Sequence, residues 1–266
     1  MHILRQSELD GMPCPDTLIH GDCLESMKHI ADGSVSAIIC DLPYGTTACK
    51  WDTVIPFAPL WEAYKRIIKP GGAIVLFGSE PFSSHLRLSN LAGYKYDWYW
   101  KKQKATGHLN CKKQPLRTIE TVSVFCLGQS CYFPQMIKGN LHTRGPWSVT
   151  KNSTTVYGSF NESQSRCYES DEYYPNNTLD NFPMVPSSEQ LHSTQKPVTL
   201  LEYLVRTYTN PGDLVLDNCM GSATLPVACL NTGRHFIGIE KDDAYFDTAV
   251  TRVRTREIEL ASTLGL

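Results

Sequence analysis

Apolar and polar positions along the 266-residue chain fall into two alternating blocks separated by a polar interval. In the first block three short runs rich in β-branched residues, "SVSAIIC" (34–40), "GGAIVLFG" (71–78) and "IETVSVFCL" (119–127), are each bounded by turn residues and predict strands. Between the first two, Leu60, Trp61, Tyr64, Ile67 and Ile68 recur at helical spacing, and Pro70-Gly71 marks the stop. The second block repeats the pattern. A helix "PVTLLEYLVRTYTN" (197–210) opens at Pro197, followed by strand "LVLD" (214–217), helix "ATLPVACLNTG", strand "HFIGIE" (235–240) and a last helix from about Asp242 to Glu259. Such alternation predicts an α/β fold, a mainly parallel twisted sheet with helices on both faces. Ligands of these sheets gather at the carboxyl ends of the strands, where Asp41, Asp217 and Glu240 all stand.

The interval 137–190 is rich in Ser, Thr, Asn and Tyr and lacks sustained helical periodicity. Its Trp147, Phe160 and Phe182 argue for packed structure rather than disorder, so it reads as an insertion that carries specificity. The chain then divides into 1–136, the insertion 137–190, and 191–266.

Composition narrows the class. Hydrophobic residues make up 41% and charged residues 20%, enough apolar material for a core, with a formal net charge of −2. No apolar run approaches the roughly 18 residues of a membrane helix, and "MHILRQSELDGMPCP" has no signal-peptide core, so a cytoplasmic protein without a membrane partner is expected. The ten cysteines are scattered singly with no CxxC pair, which argues for reduced, packed thiols and against a metal site.

Within "DLVLDNCMGSATLPVACLNTGRHFIGIEKD" (213–242) one strand ends in Asp217, a small-residue loop with Gly221-Ser222 follows, and a second strand ends in Glu240. This is the layout of a nucleoside site: backbone approaches the ligand and an acid accepts from ribose hydroxyls. The dinucleotide glycine fingerprint is incomplete and no phosphate-gripping Lys-Ser/Thr pair occurs, so a nucleoside without pyrophosphate fits better. Upstream, "LIHGDCLESM" (18–27) supplies Asp22 at another strand end, placed to meet an adenine amino group. Taken singly, each acid is as readily a turn or a cap. Another strand runs into "DLPYG" (41–45), an odd place for an aromatic side chain unless it stacks on something.

Together these segments resemble a known family. "DLPY" is similar to the Asp/Asn/Ser-Pro-Pro-Tyr motif of DNA amino-methyltransferases, while "STQKP" (193–197) and "VLDNCMGSAT" resemble that family's cofactor motifs. The order, reactive motif first and cofactor loop last, resembles the permuted class called beta, and the match runs from Leu18 to about Arg256. The resemblance implies a Rossmann-like methyltransferase fold, S-adenosyl-L-methionine as cofactor, no metal, double-stranded DNA as partner and, as in many members, pairing as a homodimer. It implies methylation of the adenine amino group after base flipping, with cytosine amino-methylation or a catalytically weak DNA-binding relative as alternatives.

By the same resemblance Asp41, Pro43 and Tyr44 are catalytic. Asp41 and the Pro43 or Leu42 carbonyl would hold the target amine, and Tyr44 would stack on the base. Asp22 and Cys23 would meet the cofactor's adenine, Glu240 its ribose, Thr194 and Lys196 its carboxylate, and Asp217 its amino group, with Asp41, Cys219, Gly221, Ser222 and Thr224 completing the pocket. Three positions depart from the pattern: Leu42 replaces a proline, Cys219 a phenylalanine and Ala223 a glycine. An alanine at positive φ costs about 1 kcal/mol, so Ala223→Gly is expected to tighten cofactor binding.

DNA contact is expected from "KYDWYWKKQKATGHLNCKKQPLR" (95–117), where Lys101, Lys102, Lys104, Lys112, Lys113 and Arg117 form a basic stretch with a single acid. Arg144, Asn152, Arg166 and Asn176 are the candidates for base readout.

Overall fold

The computed structural model describes residues 1–11, 13–47, 49, 52–144, 168–186, 188, 190–191 and 195–264. In chain order its elements are β1 (His2–Arg5), β2 (Thr17–His20), α1 (Cys23–Met27), β3 (Val35–Cys40), α2 (Phe57–Ile67), β4 (Ile68–Gly78), α3 (Phe82–Ser89), β5 (Tyr94–Thr106), β6 (Arg117–Phe125), β7 (Ile137–Arg144), β8 (Tyr168–Tyr173), β9 (Thr178–Leu179), α4 (Val198–Tyr208), β10 (Leu214–Asp217), α5 (Thr224–Thr232), β11 (His235–Glu240) and α6 (Asp243–Leu264).

Residues 1–133 and 177–266 form one compact unit and 134–176 another. The larger unit is built on a nine-stranded sheet ordered β1-β2-β11-β10-β3-β4-β6-β5-β9. Strands β1 through β4 pair in parallel across that order, and β6 runs antiparallel to both β4 and β5. Four carboxyl ends, those of β2, β11, β10 and β3, therefore lie side by side. Because β6 is reversed, its beginning and the end of β5 reach the same edge of the sheet.

Burial explains the strand pattern. All six residues of β3 are buried, the continuous apolar run expected of a strand covered on both faces. Its Ala37 and Ile39 join a core layer with Leu204 of α4, Ala228 of α5 and Ala249 of α6. Its Ile38 and Cys40 join the opposite layer with Met27 of α1, Leu60 and Tyr64 of α2 and Leu86 of α3. The nine described cysteines are free, and four of them are buried. No helix among the described residues is long and apolar enough to cross a membrane.

Some boundaries differ from the sequence reading. The chain passes from α2 straight into β4 at Ile68, so Pro70-Gly71 lie at the start of the strand and not in a connecting loop. Helix α6 continues past Glu259 to Leu264. The basic stretch is mostly strand: β5 is 13 residues long, its Trp98, Trp100 and Lys102 pointing inward and Tyr99 and Lys101 outward, while Lys104, past a register shift, is exposed. The buried indoles are satisfied, Trp98 Nε1 donating to Tyr208 Oη at 2.6 Å and Trp100 Nε1 to the Phe182 carbonyl at 3.0 Å.

The smaller unit begins at Pro134 and ends at Asn176, and Thr178–Leu179 of the 137–190 interval instead join the main sheet beside β5. Within it β7 and β8 pair antiparallel, and Tyr173 Oη donates to the Asn140 carbonyl at 2.9 Å. Asn152 and Arg166 lie outside the described residues, Arg144 ends β7, and Asn176 is exposed.

Candidate active site

A cavity of about 760 Å³ opens at the row of carboxyl strand ends. Asp41 to Tyr44, Asp217 to Ser222, Glu240 and Lys196 line it, together with Lys102 and Glu120 from the β5–β6 edge. Residues from both halves of the sequence meet there because β3 is the immediate neighbour of β10.

Asp41 follows the last residue of β3 with its side chain 27% exposed. Tyr44 Oη donates to its Oδ1 at 2.6 Å, and the Lys196 ammonium donates to its Oδ2 at 2.5 Å. The Tyr44 ring stacks on Phe82, centroids 5.0 Å apart. Burial and the neighbouring Asp41 carboxylate push the Tyr44 hydroxyl well up, so it stays a neutral donor. Leu42, where the resemblance would put a proline, is anchored by packing: it is buried in the layer under α1 to α3. The loop after Tyr44 is pinned by Asp52, a residue the sequence reading missed. Its carboxylate accepts from the backbone N–H groups of Gly45, Thr46 and Thr47 at 2.8, 2.9 and 2.7 Å. Burial alone would raise its pKa, but hydrogen bonds from Thr47, Gly45 and Thr46 bring it below the ordinary value. A lowered carboxylate stabilises the fold above its unfolded pKa and loses that contribution as pH falls through the folded value. Asp52→Ala is accordingly expected to cost about 1–2 kcal/mol at pH 7. The difference between thermal melts of the two proteins should persist at pH 4 and close only as pH falls through the folded value, below the ordinary 3.8.

Lys196, expected to meet the cofactor's carboxylate, is paired in this structure with Asp41, with Glu120 Oε2 a further 3.4 Å contact. The cause is burial: an ammonium 8% exposed has to be balanced by nearby anions. Thr194 lies outside the described residues.

Asp217, at the end of β10, is buried and accepts a hydrogen bond from Cys219 N at 3.2 Å. Burial, with Asp41 and Glu240 nearby, pushes its carboxyl up to about 7. Glu240 is a staple between loops, its Oε2 accepting from Gly221 N at 2.8 Å and its Oε1 from Lys241 N and Asp242 N at 2.9 Å. Burial raises its pKa despite these bonds. Asp22 caps α1, accepting from Leu24 N at 3.0 Å, and its second oxygen faces Lys241. Cys23 and Cys219 line the cavity as neutral thiols, the first held up by its Cys219 neighbour and burial.

The hydroxyls of Ser222 and Thr224 turn to Arg252 of α6, whose guanidinium also donates to the Ser222 carbonyl at 2.9 Å. Arg252 thus holds the cofactor loop from behind. Ala223 has φ 61°, the left-handed geometry anticipated for it. That turn is made by the chain's own bonds, Ala223 N to Met220 O at 2.9 Å and Val227 N to Ala223 O at 3.2 Å. The strain is therefore a term in folding, and it does not act on binding as the sequence reading supposed. Ala223→Gly relieves about 1 kcal/mol of strain but removes a fully buried methyl worth about 0.8 kcal/mol. We expect cofactor affinity within about twofold of the parent by calorimetry and a net stability change below about 1 kcal/mol.

Of the basic stretch, Lys101, Lys104, Lys112, Lys113 and Arg117 are exposed. Lys102 is the exception: its inward register buries it to 6% exposure, and its ammonium donates to Glu120 Oε1 at 2.8 Å. It cannot be a phosphate contact in this position. The alternation in "WYWKKQK" carried that signal, since Trp98, Trp100 and Lys102 share one parity.

A family model described as DNA methylase, of the N6/N4 type, matches residues 35–251. The DNA adenine methyltransferase YhdJ of Escherichia coli (strain K12) is 27% identical over 257 residues, covering 89% of this chain and 82% of that one. The crystal structure of the M1.HpyAVI–SAM complex is 26% identical, with a TM-score of 0.57 over 88% of this chain and 98% of its own. The PvuII cytosine-N4-specific DNA methyltransferase shares the fold at 16% identity, with a TM-score of 0.64 over 91% of this chain and 87% of that one. With the span from β3 into α6 matched, including the Asp41–Tyr44 turn, Lys196, Asp217 and Glu240, this chain belongs to the N6/N4 DNA methylase family.

Proposed function

We propose that the chain moves a methyl group from S-adenosylmethionine to the exocyclic amino group of adenine in double-stranded DNA. The observation that carries this reading is the meeting, in one cavity, of the Asp41–Tyr44 turn with the acids Asp217 and Glu240. The cavity suits the cofactor. Asp217 is a buried carboxyl with no cation paired to it among the described residues, the natural seat for an amino group, and Glu240 Oε2 keeps a lone pair for a hydroxyl donor beyond its bond from Gly221 N. When bound, S-adenosylmethionine supplies a methyl group on a cationic sulfonium, already electrophilic enough to need no acid catalyst.

The chain's part is to hold the nucleophile. An exocyclic amine delocalises its lone pair into the ring. Hydrogen bonds from that amine to Asp41 and to the Leu42 or Pro43 carbonyl return the lone pair to nitrogen and fix its direction. Tyr44, its ring backed by Phe82, offers a face for the extruded base, a stack worth about 1–3 kcal/mol. The alkylated nitrogen is acidic, so Asp41 need not be a strong base. The exposed Lys101, Lys104, Lys112, Lys113 and Arg117 supply attraction for phosphate that weakens steeply with salt.

The test is transfer of labelled methyl from S-adenosylmethionine to unmethylated bacterial genomic DNA, followed by digestion to nucleosides and chromatography. Label in N6-methyladenine supports the reading. Label in N4-methylcytosine overturns the base assignment, and no label in any nucleoside overturns the activity.

A further inference from the structure

Four charged groups in the cavity, Lys102 and Glu120 from the β5–β6 edge with Asp41 and Lys196, form a linked set. Lys102 donates to Glu120 Oε1 at 2.8 Å, and Lys196 donates to Asp41 Oδ2 at 2.5 Å while lying 3.4 Å from Glu120 Oε2. Glu120 is 15% exposed, and its Oε2 is buried and makes no hydrogen bond. A buried carboxylate oxygen left without a donor is costly, and one with an ammonium standing just beyond bonding geometry calls for a reason.

The reaction supplies one. Asp41 is the acceptor for the target amine in the reading above, on which this inference rests. With Tyr44 on one of its oxygens and the Lys196 ammonium on the other, its negative charge is largely spent. An ammonium in that position also opposes the positive charge that gathers on the amine as it is alkylated. The only other anion paired with Lys196 among the described residues is Glu120.

We propose that Glu120 is a positioning residue: when base and cofactor are bound, its Oε2 takes the Lys196 ammonium from Asp41 and frees Asp41 Oδ2 for the target amino group. Lys102 holds the other Glu120 oxygen throughout, so the carboxylate stays aimed at Lys196. The ammonium moves between two acceptors, no proton changes hands, and the cavity edge keeps its charge balance. Burial opposes the charge on Glu120, but Lys196 and Lys102 hold its pKa below the ordinary value, so it is an anion in the working range.

Glu120→Gln keeps the shape and removes the charge. We expect kcat for methyl transfer to fall roughly 10–100-fold, with KM for DNA and the calorimetric Kd for S-adenosylmethionine within about threefold of the parent. Glu120→Asp, which restores the anion, is expected to recover most of the loss. An unchanged kcat in Glu120→Gln, a loss confined to KM, or equal losses in both variants would overturn the proposal. A second readout needs no variant to turn over. In protein with 15N-labelled lysine side chains, the Lys196 ammonium signal should shift when S-adenosylhomocysteine and DNA are added together; a signal that stays put under saturation overturns it. A parent protein that transfers no methyl at all defeats the reading of function, a result distinct from an active parent matched by an equally active Glu120→Gln.

Discussion

Asp41→Ala is expected to lower kcat for DNA methylation by about 1000-fold while leaving the protein folded and able to bind cofactor. Two separate losses combine. The target amine loses the carboxylate that would hold its lone pair toward the sulfonium, and Tyr44 loses the acceptor 2.6 Å away that fixes its ring. The fold should survive because Lys196 keeps Glu120 as an anion within 3.4 Å and because Leu42 and the Asp52-pinned loop anchor the turn independently. Single-turnover kinetics with labelled cofactor measures the effect directly. A rate within tenfold of the parent would place the chemistry elsewhere.

Asp217 should make cofactor affinity depend on pH. Its carboxyl is pushed up to about 7, chiefly by burial. A ligand ammonium seated against it requires the ionised form, so binding expels a proton wherever Asp217 would otherwise be protonated. Affinity for S-adenosylmethionine is expected to rise by up to about tenfold per pH unit below 7 and to level off above it. Asp217→Asn should flatten that profile and weaken binding at pH 8 by roughly 10–100-fold. Stability should move the opposite way. The folded chain binds this proton more tightly than the unfolded chain, so the group's contribution is intact below the ordinary carboxylate value of 3.8 and declines as pH rises toward 7. Asp217→Asn should thus raise the melting temperature at pH 8 and leave it unchanged near pH 4. Calorimetry at pH 6, 7 and 8 tests the first half; a flat parent profile would refute it.

Most of the scaffold could be read before the structure because its signals are local. The six-residue run of β3, the β10–loop–α5 turn and the acids ending three strands follow from periodicity and turn chemistry. What escaped is what depends on register across the sheet. Glu120 looked like an ordinary polar residue within a strand, and only the antiparallel pairing of Trp100 with Glu120 brings it to the cavity beside Lys102. Lys102 was taken with its lysine neighbours although its parity matches two buried tryptophans. Asp52 and Arg252 act through backbone groups of other segments, a role that side-chain type alone does not announce. The short β1 and α3 lacked enough residues to establish a period.

The smaller unit leaves the sheet after Phe133, whose N–H is bonded to the Thr207 carbonyl, and the chain returns at Asn177, whose carbonyl is bonded to Tyr99 N–H, both at 2.8 Å. Those two anchors fix where the insertion is spliced in, while the described residues lining the cavity are all encoded outside it. Recombination could therefore exchange the segment wholesale, and divergence there would leave those cavity residues untouched.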